Sequence, residues 1–270
     1  MAPTTPDGDA SSPILVLGSG QRSGSTLVQR ILSSHPDLLV WGEHGGHLRA
    51  VLEASWLIRA WNEGLGGPSR RQFEERGHEG WIPNLLPEPR AATDAARAYV
   101  DELFAGPAAQ LGCRRWGFKE VRFGLPEAEA FRAIYPGTRV VHVTRDPRPL
   151  LVSLEHWERS VDTWEREFTP IAIADWIRVN ASFEGVERSW IRSWRLEDIT
   201  TTPAAFVADI AELIEVDPDD LDASLIDRPV YDETAEARDL KPFESLPRRI
   251  RGLLRDGELR RVAAAYGYEL

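Results

Sequence analysis

The residues best suited to chemistry lie in the stretch GSGQRSGST, at residues 18–26, which follows a short apolar run. The N-terminus of a helix offers unpaired N–H donors and about half a positive charge, so it binds phosphate or sulfate oxygens. Glycines let the backbone approach such a group closely. The pattern predicts a phosphate-binding turn between a strand and a helix; a tight turn without a ligand is the alternative interpretation.

This turn differs from the loop that binds nucleoside triphosphates, G-x-x-x-x-G-K-[ST]. Ser25 occupies the lysine position, and the positive charge comes from Arg22, which precedes Gly24. An arginine holds an oxyanion through two parallel hydrogen bonds, whereas a lysine acts as a point charge. We therefore expect a phosphate ester that is bound without a metal ion.

A second combination of a basic residue and a hydroxyl lies in VVHVTRDPRPLLVS, at residues 140–153. Arg145 follows an apolar run, Pro147 suits the first position of a helix, and Ser153 lies farther along that helix. Open α/β sheets bind their ligands at the carboxyl ends of strands. Alone, this stretch is typical of a surface salt-bridge turn; together with the first loop it predicts a second, separate phosphate contact.

The stretch GEHGGH, at residues 42–47, offers candidates for a general base. Glu43 leads, because it follows an apolar run on the same predicted sheet edge as the phosphate loop, and His47 is second. His44 competes for the same role, and a salt-bridged loop glutamate is the alternative interpretation for Glu43. Two histidines three residues apart in a glycine-rich turn are weak evidence for a metal, so we predict no metal site.

Lysine is rare, since Lys119 and Lys241 are the only lysines among 32 basic residues. Lys119 ends a predicted strand, where a role that arginine does not serve is one interpretation and a surface ion pair with Glu120 is the other. Lys241 lies in a late loop, RDLKPF, and we predict that it folds over the ligand.

The elements that must position these residues alternate along the chain. Apolar runs predict strands at 13–18, 38–41, 114–121, 139–144 and 189–199. Helical periodicity and start signals predict helices after a cap at Ser23, and at about 47–62, 91–105, 126–134, 147–157, 169–188, 203–214 and 257–265. Strands separated by helices predict an α/β fold of three layers, α/β/α, around a mostly parallel central sheet. Residues 64–90 are predicted to form a long irregular loop or lid.

Composition narrows the class of protein. The 270 residues suit one domain over residues 13–270, preceded by a disordered leader at 1–12. A net charge of −11 argues against a nucleic-acid partner, and no run of about 20 apolar residues predicts a membrane span, so we expect a cytoplasmic protein. Ten tryptophans are many for this length, and most are expected to lie in the core.

The quoted motifs resemble a known family. RSGSTLVQRILSSHP, followed by GE, and then RDPRPLLVS are similar to the two cofactor motifs of sulfotransferases, which use 3′-phosphoadenosine 5′-phosphosulfate (PAPS). The branch with an arginine in the first loop, which includes tyrosylprotein, Golgi carbohydrate and many bacterial sulfotransferases, is the most similar. The resemblance implies a P-loop-like sulfotransferase fold, PAPS as co-substrate without a metal, and adenosine 3′,5′-bisphosphate as product.

The same resemblance implies roles for individual residues. The 5′-phosphosulfate would contact Arg22, Ser23, Gly24, Ser25 and Thr26, and the 3′-phosphate would contact Arg145 and Ser153. Glu43 matches the base of the tyrosylprotein branch, Lys119 matches a lysine that stabilises the leaving group, and Arg22 and His47 complete the catalytic candidates. The chain departs from its relatives at Leu196, where a tyrosine is frequent, and at Trp157, where some have a basic residue. The segment after Glu43 differs most between relatives, so residues 64–90 are predicted to form an acceptor loop or lid, and Trp56, Trp61 and Trp81 to line an acceptor pocket.

The resulting hypothesis is a sulfuryl transferase that acts on a small hydroxyl compound: a phenol, a sugar or a natural-product alcohol of bacterial secondary metabolism. A divergent P-loop kinase that uses ATP and magnesium is one alternative, and a non-catalytic nucleotide-binding module is another. Homo-oligomerisation is left open.

Overall fold

The computed structural model describes residues 12–160, 168–228 and 242–270. Lys241 and the predicted leader, apart from Ser12, lie outside the described residues. The strands are β1 Ile14–Gly18, β2 Leu38–Trp41, β3 Arg115–Glu120, β4 Arg139–Thr144 and β5 Ile191–Arg195. The helices are α1 Ser25–Leu32, α2 Leu48–Trp61, α3 Gly67–Arg76, α4 Arg90–Val100, α5 Gly106–Gln110, α6 Leu125–Ile134, α7 Pro147–Ser160, α8 Phe168–Phe183, α9 Leu196–Thr201, α10 Pro203–Ile214, α11 Arg248–Gly252 and α12 Gly257–Ala265.

The five strands form one sheet in the order β2-β3-β1-β4-β5, and all neighbouring pairs are parallel. β1 lies at the centre, with Val16 opposite Lys119 of β3 and Val141 of β4. Because all strands run the same way, their carboxyl ends lie at one edge of the sheet. The prediction of a mostly parallel central sheet is confirmed.

Helices cover both faces of the sheet, as a sheet that is apolar on both sides requires. On one face Ile14 and Val16 of β1 pack with α1 and α10. On the other face Leu15 and Leu17 pack with residues of α2, α4, α6 and α8. This alternation follows from the period of two along a strand, and it produces the predicted three-layer α/β/α arrangement.

Several predicted elements are wrong in detail. The segment 64–90 is not an irregular loop, because α3 occupies Gly67–Arg76. The predicted helix at about 91–105 consists of α4 and a π-helical turn, Asp101–Ala105, and then continues as α5.

Two further differences lie at the carboxyl ends of β1 and β5. Ser23 does not cap α1: Gly24 is the N-cap residue, and the Ser23 hydroxyl donates a hydrogen bond to the carbonyl of Gly20 at 2.9 Å. The predicted strand at 189–199 ends at Arg195, where α9 begins.

A helix that crosses a bilayer needs about 20 mostly apolar residues. No helix within residues 12–160, 168–228 and 242–270 is long and apolar enough to do so.

Candidate functional site

A cavity of about 560 Å³ opens at the carboxyl ends of the central strands. From β1 the chain crosses to β2 on one side of the sheet, and from β3 it returns past β1 to β4 on the other side. The cavity lies at this change of direction, which is where open α/β sheets bind ligands. Its walls are formed by Gln21, Arg22, Gly24, Ser25, Thr26, Leu27, Glu43, Lys119, Val121, Arg122, Arg145, Trp157, Leu196 and Thr200. Its volume is within the range of about 300–1,000 Å³ that is usual for small-molecule sites.

The first loop directs the N-terminus of α1 at this cavity. Gly24, the N-cap, has a φ of 93° and so adopts a left-handed conformation that favours glycine. A Cβ atom at this position would lie 2.5 Å from Cδ1 of Leu196. The first turn of α1 contains no acidic residue, so the positive end of the helix dipole faces the cavity uncompensated by its own turn.

Arg22 and Arg145 are brought together across 123 residues of sequence. The Arg145 guanidinium donates a hydrogen bond to the carbonyl oxygen of Arg22 at 2.9 Å, and Nε of Arg22 donates to the Ser153 hydroxyl at 2.8 Å. Arg22 has a φ of 66°, which is uncommon for a residue with a side chain. Both guanidinium groups line the cavity, and the Ser153 hydroxyl lies behind Arg22.

Half-buried Arg145 is held by groups from the C-terminal part of the chain. Burial lowers the pKa of Arg145, and the negative charge of Glu197 opposes that change. Glu197 also accepts hydrogen bonds from the backbone N–H of Asp146 at 3.0 Å and from the Tyr268 hydroxyl at 3.0 Å. Burial raises the pKa of Tyr268, so this phenol remains a neutral donor. The turn that follows β4 is thereby fixed from both sides.

A second group of charges lies on the other side of the loop. Nζ of Lys119 is 2.5 Å from Oε1 of Glu43, and a guanidinium nitrogen of Arg122 is 3.2 Å from Oε2 of the same carboxylate. All three side chains line the cavity. The alternative interpretation of Lys119, an ion pair with Glu120, does not describe this geometry.

Glu120 has a different role, because its carboxylate is completely buried beneath the turn that carries Glu43. It accepts hydrogen bonds from the backbone N–H groups of Gly46 at 2.7 Å, Val121 at 2.8 Å and Arg122 at 3.1 Å. The Arg122 guanidinium adds a fourth at 3.0 Å. Burial raises the pKa of Glu120, but the backbone hydrogen bonds from Val121 and Gly46 and the positive charge of Arg122 outweigh burial, so the pKa lies below its usual value. One carboxylate therefore joins the β2 turn to the end of β3.

The two histidines of the turn lie outside the lining of this cavity. His44 packs edge-on against Phe118 and Phe123, at ring-centroid distances of 4.9 and 5.0 Å. Burial lowers the pKa of His44, so it is neutral at neutral pH. His47 is exposed at the start of α2. No group of three or more His, Cys, Asp or Glu side chains arranged to hold a metal is found in the described segments.

The predicted site residues therefore separate into two sets. Arg22, Gly24, Ser25, Thr26, Glu43, Lys119 and Arg145 meet around one cavity. Ser23, His47 and Ser153 lie outside its lining, and Lys241 lies outside the described residues. Trp56, Trp61 and Trp81 were predicted to line an acceptor pocket, but they are exposed and do not border this cavity.

Sequence reasoning missed Arg122, Glu120 and Glu197. Arg122 and Glu120 belong to KEVRF, and their signal is the position of charged residues directly after a buried strand. Glu197 follows β5 in the same way. A charged residue at the carboxyl end of a strand is thus a general signal for this edge of the sheet, as it is for Lys119 and Arg145.

The arrangement is chemically suited to an anionic nucleotide. Four cationic side chains and one carboxylate line the cavity, although the whole chain carries a net charge of −11. Leu27, Trp157 and Leu196 add apolar wall area that suits a nucleoside. Fold and site thus define a parallel α/β protein whose central crevice, at a helix N-terminus, is chemically suited to a phosphate-bearing ligand.

The chain belongs to the sulfotransferase family, whose family model matches residues 13–220. Membership makes sulfuryl transfer its class of reaction, and the predicted family is confirmed. No match was found among curated proteins.

Solved structures with the same fold come from several sources. The sulfotransferase domain from the curacin biosynthetic pathway is 15% identical, with a TM-score of 0.52, over 96% of this chain and 99% of that chain. The sulfotransferase domain from the olefin synthase of Synechococcus PCC 7002 is 16% identical, with a TM-score of 0.53, over 99% and 98%. Mouse sulfotransferase SULT7A1, complexed with PAP, is 10% identical, with a TM-score of 0.51, over 95% and 88%. At these identities the likeness concerns the fold, and it confirms the predicted fold class.

Proposed function

We propose that this protein transfers a sulfuryl group from PAPS to a hydroxyl of a small acceptor, with Glu43 as general base. The observation that carries the proposal is the shared cavity, which is lined by Arg22, by Arg145 and by the ion pair of Glu43 and Lys119. A donor with two separate anionic ends matches two cationic contacts. The co-substrate supplies the sulfuryl group when it is bound.

The residues fit such a donor. The N-terminus of α1, with Arg22 and the hydroxyls of Ser25 and Thr26, would hold the phosphosulfate end. Arg145 would hold the 3′-phosphate through its planar guanidinium. Ser153 would act indirectly, because its hydroxyl accepts a hydrogen bond from Arg22.

The chemistry assigned to the protein is positioning, proton transfer and charge stabilisation. Glu43 takes the proton from the acceptor hydroxyl as the oxygen forms its bond to sulfur and the bond from sulfur to the phosphate oxygen breaks. Lys119 donates a hydrogen bond to that departing oxygen, which gains negative charge. A positioned base of this kind contributes about 10²–10⁴-fold. The ion pairs to Lys119 and Arg122 hold the Glu43 carboxylate in place.

Charge favours an uncharged acceptor. The cavity has a surplus of cationic side chains, and a donor with two phosphate-bearing ends, each contributing about −1.5 to −2 charge, neutralises that surplus. The fold neighbours from the curacin biosynthetic pathway and from an olefin synthase support a biosynthetic setting for such an acceptor.

Calorimetric titration of the protein with adenosine 3′,5′-bisphosphate, with and without magnesium, tests the donor site. We expect binding that does not depend on magnesium. Magnesium-dependent binding of ATP together with no response to the bisphosphate would favour the kinase and reject the proposal.

Turnover is tested separately by mass spectrometry of cell extract incubated with the protein and PAPS, which should reveal products heavier by one sulfo group. Glu43→Gln is expected to reduce product formation by about 10²–10⁴-fold while the bisphosphate still binds. If Glu43→Gln forms product as fast as wild type, Glu43 is not the base.

A further inference from the structure

The last residues of the chain contact the turn that carries Arg145. Tyr268 is only 6% exposed, and its hydroxyl donates a hydrogen bond to Oε2 of Glu197 at 3.0 Å. Oε1 of the same carboxylate accepts the backbone N–H of Asp146, the residue after Arg145, at 3.0 Å. The family model matches residues 13–220, so the match assigns no role to Tyr268. One carboxylate therefore connects this tyrosine with the turn after β4.

Contacts other than the one to Glu197 hold Tyr268 in place. Its backbone N–H donates a hydrogen bond to the carbonyl of Ala263, in α12, at 3.0 Å. The guanidinium of Arg195 lies over its ring, 5.4 Å from the ring centroid, which is within the range of a cation–π contact. Arg195 is itself paired with Asp198 at 2.8 Å. The position of the phenol is therefore fixed by the end of β5 and by α12.

Glu197 acts on Arg145 through its charge and not through a hydrogen bond. Among the described residues, the Arg145 side chain donates one hydrogen bond, to the carbonyl oxygen of Arg22 at 2.9 Å. Glu197 is nevertheless the strongest source of negative charge that acts on Arg145. A carboxylate and a guanidinium pair through two parallel hydrogen bonds when both groups are available. Because Tyr268 and the N–H of Asp146 occupy both oxygens of Glu197, the guanidinium stays available at the cavity wall.

We propose that Tyr268 is a positioning residue for the 3′-phosphate contact, because it occupies Glu197 and so leaves the Arg145 guanidinium to the ligand. The inference rests on the proposed function, in which Arg145 holds the 3′-phosphate. Without the phenol hydroxyl, Oε2 of Glu197 loses its donor and the carboxylate is attracted to Arg145. It then competes with the phosphate for the same N–H groups. Tyr268 therefore determines how strongly the protein prefers a nucleotide with a 3′-phosphate over one without.

Calorimetric titration of the full chain with two nucleotides separates this role from a purely structural one. Adenosine 3′,5′-bisphosphate and adenosine 5′-monophosphate differ only in the 3′-phosphate, so the ratio of their affinities reports that contact alone. Tyr268→Phe removes a single oxygen atom. It should lower the ratio by about tenfold, the effect expected for the loss of one hydrogen bond to a charged group. The affinity for the monophosphate should stay unchanged.

Tyr266→Phe is the matched control. Tyr266 lies two residues earlier, and its hydroxyl donates a hydrogen bond to the carbonyl of Asn180 at 2.8 Å, so this variant should keep the wild-type ratio. The double variant Tyr268→Phe with Glu197→Gln also removes the competing negative charge, and it should regain most of the ratio. Thermal unfolding followed by circular dichroism confirms that each variant is folded at the temperature of the titration.

The outcomes distinguish this inference from the proposed function. A wild type that binds both nucleotides equally well rejects the 3′-phosphate contact itself, and the role of Tyr268 with it. A wild type that prefers the bisphosphate, together with a Tyr268→Phe variant that keeps the same ratio, leaves the proposed function intact and overturns the role of Tyr268. Equal loss of affinity for both nucleotides in Tyr268→Phe also overturns it, since that is the result of a structural defect. A double variant with a lower ratio than Tyr268→Phe rejects the competition by Glu197.

Discussion

Arg145 shows how much one side chain at a strand end depends on its surroundings. It is half-buried beside Arg22, and Glu197 supplies a nearby negative charge. A planar guanidinium contributes geometry as well as charge, which a lysine at this position does not reproduce. The neighbouring Arg148 is exposed and pairs with Asp146, so the same loop contains two arginines with different expected roles.

Arg145→Lys is therefore expected to weaken binding of adenosine 3′,5′-bisphosphate by about tenfold, and Arg145→Ala by about a hundredfold, since charge-assisted hydrogen bonds contribute about 1.5–3 kcal/mol. Calorimetric titration measures both. Arg148→Ala serves as control and should bind as wild type does. Equal affinities for Arg145→Ala and wild type would remove Arg145 from the binding site.

Gly24 is constrained by its backbone and by Leu196. Gly24→Ala is expected to destabilise the protein by about 1–2 kcal/mol, because the left-handed conformation disfavours a Cβ atom, and to weaken bisphosphate binding. Leu196→Ala in the same chain removes the clash at 2.5 Å but leaves the backbone strain. Urea unfolding of Gly24→Ala, of Leu196→Ala and of the double variant separates the clash from the backbone strain. Full recovery in the double variant would show that the backbone conformation is unimportant.

At the scale of elements, the turn after β2 is attached to the end of β3 by a single buried carboxylate. Glu120 accepts three backbone hydrogen bonds from residues of both segments. Glu43 and Arg122 belong to these segments and meet 3.2 Å apart. The distance between the Glu43 carboxylate and the Arg122 guanidinium is thus set by the attachment of the two segments as well as by the two side chains.

Glu120→Gln is expected to lower the free energy of unfolding by about 1–3 kcal/mol. Both oxygens of the carboxylate accept hydrogen bonds from the surrounding N–H groups, whereas the NH2 group of a glutamine is itself a donor and leaves some of those N–H groups without an acceptor. Turnover should fall by about 10-fold or more, since a displaced base acts less efficiently, while bisphosphate affinity stays unchanged. Glu127→Gln is the matched control: Glu127 accepts the N–H of Gly124 at the start of α6, away from the cavity. It should cost stability only. Parallel loss of turnover in both variants would assign Glu120 a purely structural role.

At the scale of the whole molecule, the sheet buries an ionisable group far from solvent. His142 of β4 is completely buried, stacks on Phe183 of α8 at 4.4 Å, and has Nδ1 3.1 Å from the Ser193 hydroxyl of β5. Burial lowers its pKa to about 3. The folded protein therefore keeps His142 neutral at a pH where the unfolded chain, with a pKa near 6.5, binds a proton.

The unfolded chain binds this proton more readily than the folded protein does. The stability that neutral His142 contributes is therefore complete above pH 6.5 and is lost as the pH falls toward 3. The expected loss is about 1.4 kcal/mol per pH unit in that window. Urea unfolding at several pH values measures it. His142→Gln is expected to be less stable overall but to have a pH slope smaller by one proton between pH 6.5 and 3. An unchanged slope would show that His142 does not cause the acid sensitivity.

The predictions that succeeded rest on short stretches of sequence. The apolar runs of β1 to β4, the glycine-rich turn and the arginine after β4 are local patterns, because strand period, turn conformation and helix start depend on neighbouring residues. The irregular loop predicted for 64–90 failed because its glycines and prolines were taken as helix breakers. Pro68 instead lies in the first turn of α3, where its missing N–H costs nothing.

The amino-acid sequence alone therefore determined the order of the strands along the chain, the glycine-rich turn after β1 and the identity of the basic residues at strand ends. Tertiary structure decided which of these residues meet. The strand order β2-β3-β1-β4-β5 brings Lys119 to Glu43 across 76 residues and Arg145 to Arg22 across 123. The same folding leaves the tryptophans of α2 outside the cavity. Such contacts depend on strand order and packing, which no short stretch of sequence contains.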